Sequence, residues 1–428
     1  MIRRRLHVDG IVQGVGFRPF VYNLARAEGV SGFVTNTSRG VIIEVQGEAD
    51  VVERFAARLG DEAPPLATIV RVDTADVTPR EGDGFVIVAS EDTPGTATLI
   101  PPDVATCADC LAEIRDPIDR RRGYPFTNCT NCGPRWTIIG RIPYDRPFTS
   151  MASFTMCPCC QGEYDDPGDR RFHAQPNACA ECGPKVWLTG PVGATDGEAG
   201  VLGRAAEALA RHAILAIKGL GGFHLAARAD NSLPVNELRR RKGRAGKPLA
   251  LMAANLAAVQ RLCRVGPEEA RLLTSPQAPI VLLERRPDAP VAPEVAPGHR
   301  RLGVMLPPTP LHHLLCDALP HHGIPALVMT SGNVSEEPIC IDNDEALGRL
   351  GEIADFFLIH NRDIYLRSDD SIVRRSAGMP RFVRRSRGYV PVPVFLHRKR
   401  PRVLACGAEL KNTVCLTTEN RAFLSQHI

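Results

Sequence analysis

The chain has 428 residues, of which 44% are apolar and 23% charged, and a formal net charge of +4. Its length implies three or more cores, and it holds no run of about 18 uncharged apolar residues that could span a bilayer. Arginines mixed with acids along most of the chain argue against a nucleic-acid-coating surface.

The basic start, Met1 to Asp9, leads into alternating sequence rather than an apolar segment with a small-residue cleavage site. No export signal is visible, so the cytoplasm is the expected compartment. Within residues 1–90, period-two alternation predicts strands at 6–12, 32–37, 41–46, 69–74 and 85–88, and helical spacing predicts helices at 17–28 and 49–59. The order is β-α-β-β-α-β with one additional short strand, which suits a ferredoxin-like sandwich. Between the first strand and first helix runs Val12-Gln13-Gly14-Val15-Gly16-Phe17-Arg18. Its glycines let backbone N–H groups converge on an anion, the helix N-terminus adds its dipole, and Arg18 can grip two phosphate oxygens.

This segment resembles the acylphosphatase signature, and Gly32-Phe33-Val34-Thr35-Asn36-Thr37-Ser38-Arg39-Gly40-Val41 resembles the second motif of the same family. The resemblance implies that Gln13, Gly14, Val15, Gly16 and Phe17 form a phosphate loop, that Arg18 binds the phosphoryl group and that Asn36 orients the attacking water. A carboxylic-phosphoric anhydride has a good leaving group, so positioning and charge stabilisation suffice for its cleavage. The alternative is a phosphate-binding regulatory domain without turnover.

Residues 91–104 read as a linker, and cysteine-rich sequence begins at Cys107. Eight of the fourteen cysteines form four C-x2-C knuckles: Cys107/Cys110, Cys129/Cys132, Cys157/Cys160 and Cys179/Cys182. Cys129-Thr-Asn-Cys-Gly-Pro-Arg-Trp136 matches Cys179-Ala-Glu-Cys-Gly-Pro-Lys-Val-Trp187 at an offset of 50, so residues 104–188 read as a duplicated ribbon. Two knuckles complete a tetrahedral four-sulfur shell for Zn2+, and a disulfide framework runs against the expected compartment. With all eight thiolates used, both zincs read as structural, each contributing on the order of 10 kcal/mol to local folding. Pairing within each repeat is simplest, and crossed pairing stays open. Cys159 could compete with Cys160, and His173 is either a further ligand or a packed or surface histidine.

After a break at 190–200, residues 200–394 read as an α/β domain in which a helix at 201–212 alternates with strands at 214–217, 279–283 and 326–330. Only six residues are lysines, and Lys218, Lys242 and Lys247 fall close together, as a site that wants compact point charges would place them. Four polar clusters sit beside apolar strands: Lys218-Gly219-Leu220-Gly221-Gly222-Phe223-His224, Arg241 to Leu249, Met329 to Ser335, and Ser368 to Arg374. They supply the cations, hydroxyls and amides that a triphosphate needs. As an ordered set they resemble the YrdC-like, carbamoyl-adenylate-forming family that includes the threonylcarbamoyl-adenylate synthases. That likeness implies that Lys242, Arg244, Ser331, Asn333, Ser371 and Arg384 hold ATP, with Mg2+, and a carbamoyl group. Lys218, His224, Lys247 and Thr330 complete the candidate set.

The series of acylphosphatase-like domain, duplicated four-cysteine ribbon and YrdC-like domain resembles the HypF family of carbamoyltransferases in [NiFe]-hydrogenase maturation, across essentially all 428 residues. Segments at 302–315 and 405–412 carry the likeness onward, while Pro308 replaces a usual aromatic and Arg228 lies near an expected acid. Residues 402–428 resemble the first strands of that family's large Kae1-like domain. The resemblance implies a relay in which carbamoyl phosphate is cleaved to carbamate and carbamate reacts with ATP to give carbamoyl-adenylate. The Kae1-like domain then passes the carbamoyl group to the C-terminal cysteine of HypE. Two rivals are a threonylcarbamoyl-type tRNA-modification enzyme and a zinc-stabilised regulatory module.

Overall fold

A computed structural model of the chain describes every residue except 38, 83, 91–98, 191–192, 196–199, 336, 409–411 and 427–428. Ser38 of the second loop motif, most of the expected linker, part of the break at 190–200 and residues 409–411 therefore lie outside the described residues. Two compact units are present, one made of Met1–Pro101 with Asn128–Cys182 and the other of Pro102–Thr127 with Gly183–Ile428. Among the described residues no helix is long and apolar enough to cross a membrane.

The first unit opens with strand β1 (Ile2–Ile11), helix α1 (Phe17–Glu28), strands β2 (Ser31–Thr37) and β3 (Gly40–Gly47), helix α2 (Ala49–Asp61), and strands β4 (Thr68–Val77) and β5 (Phe85–Ile87). The sheet order is β4-β1-β3-β2-β5, antiparallel except that the short extra strand β5 runs parallel to β2. Helix α1 buries Phe17, Val21, Leu24 and Ala25, a one-sided spacing that turns its apolar stripe onto the sheet. Leu6, Val8, Val34 and Ile43 from the strands, with Val52 and Phe55 of α2, complete this ferredoxin-like core. Helix α1 is bracketed by glycines at positive φ, Gly16 at 75° and Gly29 at 70°. The first of these turns the chain from strand to helix in the left-handed region that glycine tolerates best.

The Asn128–Cys182 part of this unit has little regular structure beyond the helix Pro158–Asp165 and two short 3-10 turns, Trp136–Ile138 and Arg146–Phe148. Ile138, Met151 and Phe172 are buried here, and polar side chains add to this packing. The almost fully buried Arg135 guanidinium donates to the carbonyls of Cys129, Thr130, Cys132 and Pro134 at 2.8 to 3.2 Å, tying one knuckle together.

Among the described residues the second unit is built on a mixed sheet of twelve strands. From one edge the order is Met379–Arg384, Ile372–Ser376, Ile280–Arg285, Arg301–Met305, Leu251–Met252, Leu327–Ser331, Phe223–Arg228, Leu215–Lys218, Phe356–His360, Val186–Gly190 and Gly193–Thr195, with Cys263–Arg264 paired to the side of Ile280–Arg285. Leu215, Ala216 and Ile217 are all fully buried, as a central strand covered on both faces requires, which is why this segment reads as a continuous apolar run. A separate two-stranded sheet pairs Val394–Cys406 with Val414–Leu424. Its first strand begins before the expected start at 402, because the basic stretch from His397 to Arg402 lacks apolar alternation and is carried by backbone pairing.

Candidate functional site

The loop after β1 and the N-terminus of α1 line one side of a small polar pocket in the first unit. Gln13 braces the loop, donating from Nε2 to the carbonyls of Thr37 at 2.7 Å and Gly40 at 3.0 Å. Gly14 (φ 66°) and Gly16 (φ 75°) both adopt positive φ, and the first-turn N–H groups of a helix have no intrahelical partner, so the loop is shaped for an anion. Arg18 reaches into the pocket from α1 and Asn36 from β2, both buried. With the Asn36 amide turned so that its oxygen faces Arg18, the orientation that satisfies its hydrogen bonding, that oxygen accepts from Nε and Nη2, each at 3.1 Å.

Asp145, in the cysteine-bearing part of the same unit, accepts from Arg18 Nη2 at 2.9 Å, and Ser90 lies 3.4 Å from Nη1. Arg135 donates from Nε to the carbonyl of Gly14, and Tyr144 N–H donates to Gln13 Oε1 at 3.4 Å. Asp145, Tyr144, Arg135 and His173 carry no local motif that connects them with the glycine loop. His173 stands outside both cysteine groups, its ring packed against Phe172 at 4.6 Å and Tyr164 at 5.0 Å.

The eight knuckle cysteines gather in two groups, Cys107 with Cys110, Cys129 and Cys132, and Cys157 with Cys160, Cys179 and Cys182. Within each group the sulfur atoms lie inside 4.8 Å of one another. The pairs Cys129/Cys132, Cys157/Cys179 and Cys179/Cys182 are 3.9, 3.7 and 3.8 Å apart. A tetrahedron with Zn–S bonds of about 2.3 Å has edges of about 3.8 Å, which these three separations match, and four thiolates are a donor set that zinc takes. Pairing is within each repeat, which closes the alternative that the spacing leaves open. Cys159 is exposed and stands outside its group.

In the second unit a cavity of about 230 Å3 is lined by six of the candidate residues, His224, Arg244, Lys247, Thr330, Ser331 and Arg384, together with Asp369 and Asp370. Arg244 donates to Thr330 Oγ1 at 3.2 Å. Burial, reinforced by the neighbouring charges of Arg239 and Arg384, lowers the Arg244 pKa to about 10, which leaves it cationic. The other four candidates are buried elsewhere. Lys242 Nζ donates to the carbonyl of Ser331, to that of Asn333 at 2.8 Å and to Asn333 Oδ1 at 3.0 Å, so it braces the loop that carries Ser331. Ser371 is fully buried between Arg387 O and Ser386 N, both at 2.8 Å. Lys218 donates to the carbonyl of His360 at 3.2 Å, and burial lowers its pKa to about 8.

Beside the cavity lies a network that no local motif announces. His224 Nε2 is 2.8 Å from Asp370 Oδ2, and Arg387 Nε donates to Asp370 Oδ1 at 2.7 Å. Burial alone would raise the Asp370 pKa, but the charges of Arg387 and His224 and their hydrogen bonds hold it well below the usual carboxylate range. Asp370 is therefore an ionised acceptor, and the proton on Nε2 points at it.

Comparison with known proteins places these features. Family models match in series: Acylphosphatase over residues 4–87, HypF finger over 106–139 and 156–189, the Sua5/YciO/YrdC model described as Telomere recombination over 207–386, and HypF Kae1-like domain over 398–428. The chain is 49% identical to Carbamoyltransferase HypF2 of Cupriavidus necator, an alignment covering 100% of this chain and 55% of that relative. It is 50% identical to Carbamoyltransferase HypF of Rhodobacter capsulatus, covering 99% of this chain and 56% of that one. A crystal structure of full-length HypF in the phosphate- and nucleotide-bound form superimposes with a TM-score of 0.94 at 48% identity, covering 100% of this chain and 56% of that chain. The chain thus spans about half the length of the curated relatives it matches.

Proposed function

This chain belongs to the HypF carbamoyltransferase family, and from that premise we propose that it carries two steps of a carbamoyl transfer, cleavage of carbamoyl phosphate and adenylation of the carbamate released. The observation that carries the reading is the Arg18 guanidinium held against the Asn36 amide oxygen, 3.1 Å from both Nε and Nη2, at the mouth of the glycine loop. The loop N–H groups and Arg18 take the phosphoryl oxygens. Asn36, its oxygen occupied by Arg18, has Nδ2–H left to donate to the oxygen of a water molecule. That water attacks phosphorus, the bond between phosphorus and the acyl oxygen breaks, and carbamate and phosphate leave. Preorganised donors at the developing charge supply the acceleration.

In the second cavity Arg244, Lys247 and Arg384 neutralise the phosphates of ATP, which enters with Mg2+, while Thr330 and Ser331 offer hydroxyls. A carbamate oxygen attacks the α-phosphorus and pyrophosphate departs, leaving carbamoyl-adenylate. The two four-sulfur groups hold structural zinc. Transfer to the C-terminal cysteine of HypE belongs to the Kae1-like domain, whose model matches only residues 398–428 here. The cytoplasm is the compartment in which this chemistry would run. The test is exchange of labelled pyrophosphate into ATP, which this reading expects to depend on carbamoyl phosphate. Exchange that proceeds equally without carbamoyl phosphate would contradict it.

A further inference from the structure

Most polar side chains around the Arg18 pocket are engaged within the protein. Gln13 and Arg135 donate to backbone carbonyls, and the Tyr144 hydroxyl donates to the carbonyl of Pro134 at 3.3 Å. The Gln175 amide oxygen accepts from Arg146 N–H at 2.7 Å and from the Tyr164 hydroxyl at 3.1 Å. His173 is different. Its ring lines the pocket, and among the described residues no hydrogen bond reaches either ring nitrogen.

The ring is nevertheless firmly aimed. His173 has φ 55°, a left-handed backbone that is uncommon outside glycine, and its N–H donates to the carbonyl of Tyr164 at 3.0 Å. Its own carbonyl accepts from Gln175 Nε2 at 2.8 Å, and its ring packs against Phe172 and Tyr164. A strained conformation that its surroundings impose, on a residue facing a pocket, points to a role there. Burial, then the charge of Arg18, lowers the His173 pKa to about 4. Near pH 7 the imidazole is neutral and offers one N–H and one lone pair.

We propose that His173 determines the acyl specificity of this pocket, its ring nitrogen accepting a hydrogen bond from the NH2 of a carbamoyl group whose phosphoryl end lies on Arg18 and the glycine loop. The proposal rests on the acyl-phosphate reading above and deepens it. Acetyl phosphate is the informative comparison, because it keeps the phosphoryl and carbonyl groups and replaces NH2 with CH3. A site that hydrogen-bonds a substrate N–H rejects the analogue lacking it, since the buried partner is then left unpaired.

The experiment compares kcat/KM for carbamoyl phosphate and acetyl phosphate in the full zinc-replete chain, as wild type, His173→Phe and His173→Asn. Phe keeps the ring packing and removes the nitrogens, whereas Asn tolerates positive φ and keeps an acceptor. The wild type should prefer carbamoyl phosphate by about tenfold or more, and His173→Phe should erase that preference through carbamoyl phosphate alone. His173→Asn should restore part of it, and inorganic phosphate should bind all three alike. An equal fall on both substrates, or an unchanged preference in His173→Phe, overturns the assignment. A wild type that cleaves acetyl phosphate as fast as carbamoyl phosphate also overturns it while sparing the acyl-phosphate reading, and a wild type that cleaves neither overturns both.

Discussion

Asn36 braces Arg18: with its amide oxygen turned toward the guanidinium it accepts from Nε and Nη2, each at 3.1 Å, before any anion arrives. Arg18→Lys keeps the charge and loses the planar fork. Acyl-phosphate turnover should then fall about 100-fold, and Asn36→Ala should cost a similar factor by removing both the brace and the donor for water. Steady-state kinetics beside circular dichroism checks this, and near-normal turnover in Asn36→Ala would remove that residue from the mechanism.

Asp145 accepts from the same Arg18 Nη2 at 2.9 Å, and so competes with an incoming phosphate for the guanidinium. Asp145→Asn keeps the shape and removes the charge. Inorganic phosphate should bind about threefold or more tightly to the variant, as the loss of one partly exposed like charge implies. Calorimetric titration with phosphate measures it, and weaker binding would show that Asp145 supports the site.

Metal analysis of reduced protein should find two zinc ions per chain, because eight thiolates gather into two four-sulfur groups, the donor set of structural zinc. Chelation should also lower acyl-phosphate cleavage, since Arg135 ties Cys129 and Cys132 to the carbonyl of Gly14. Cleavage that survives complete zinc removal would mean that the loop holds its shape without that support.

The features legible in sequence are those written in local pattern. The β-α-β-β-α-β order, helix Phe17–Glu28 and the four knuckles each depend on neighbours a few residues apart. Asp145 and Arg387 were not legible as site residues, and His173 was legible only as a possible metal ligand and not as part of the Arg18 pocket, because each meets its partners only after separate segments fold together. Lys218 and Lys242 show the opposite effect. They lie in polar clusters that read as loops, yet they are buried donors to the carbonyls of His360, Ser331 and Asn333.

The Asp370 carboxylate, held between His224 and Arg387, should contribute stability that depends on pH. Its folded pKa is depressed, so the contribution is present above the unfolded value of about 4 and is lost as pH falls below it. Asp370→Asn leaves Arg387 buried without its counter-charge and should cost about 3 kcal/mol near neutrality. Denaturation of wild type and variant across pH should show the two curves converging in acid. A constant gap would place the stabilisation elsewhere.

Phosphate release from carbamoyl phosphate by the zinc-replete chain, measured beside Arg18→Ala, tests the central claim most directly. The account predicts steady release by the wild type and a loss of about 100-fold or more in the variant, with the fold unchanged. No release by folded, zinc-replete wild type, or equal release by Arg18→Ala, would contradict it.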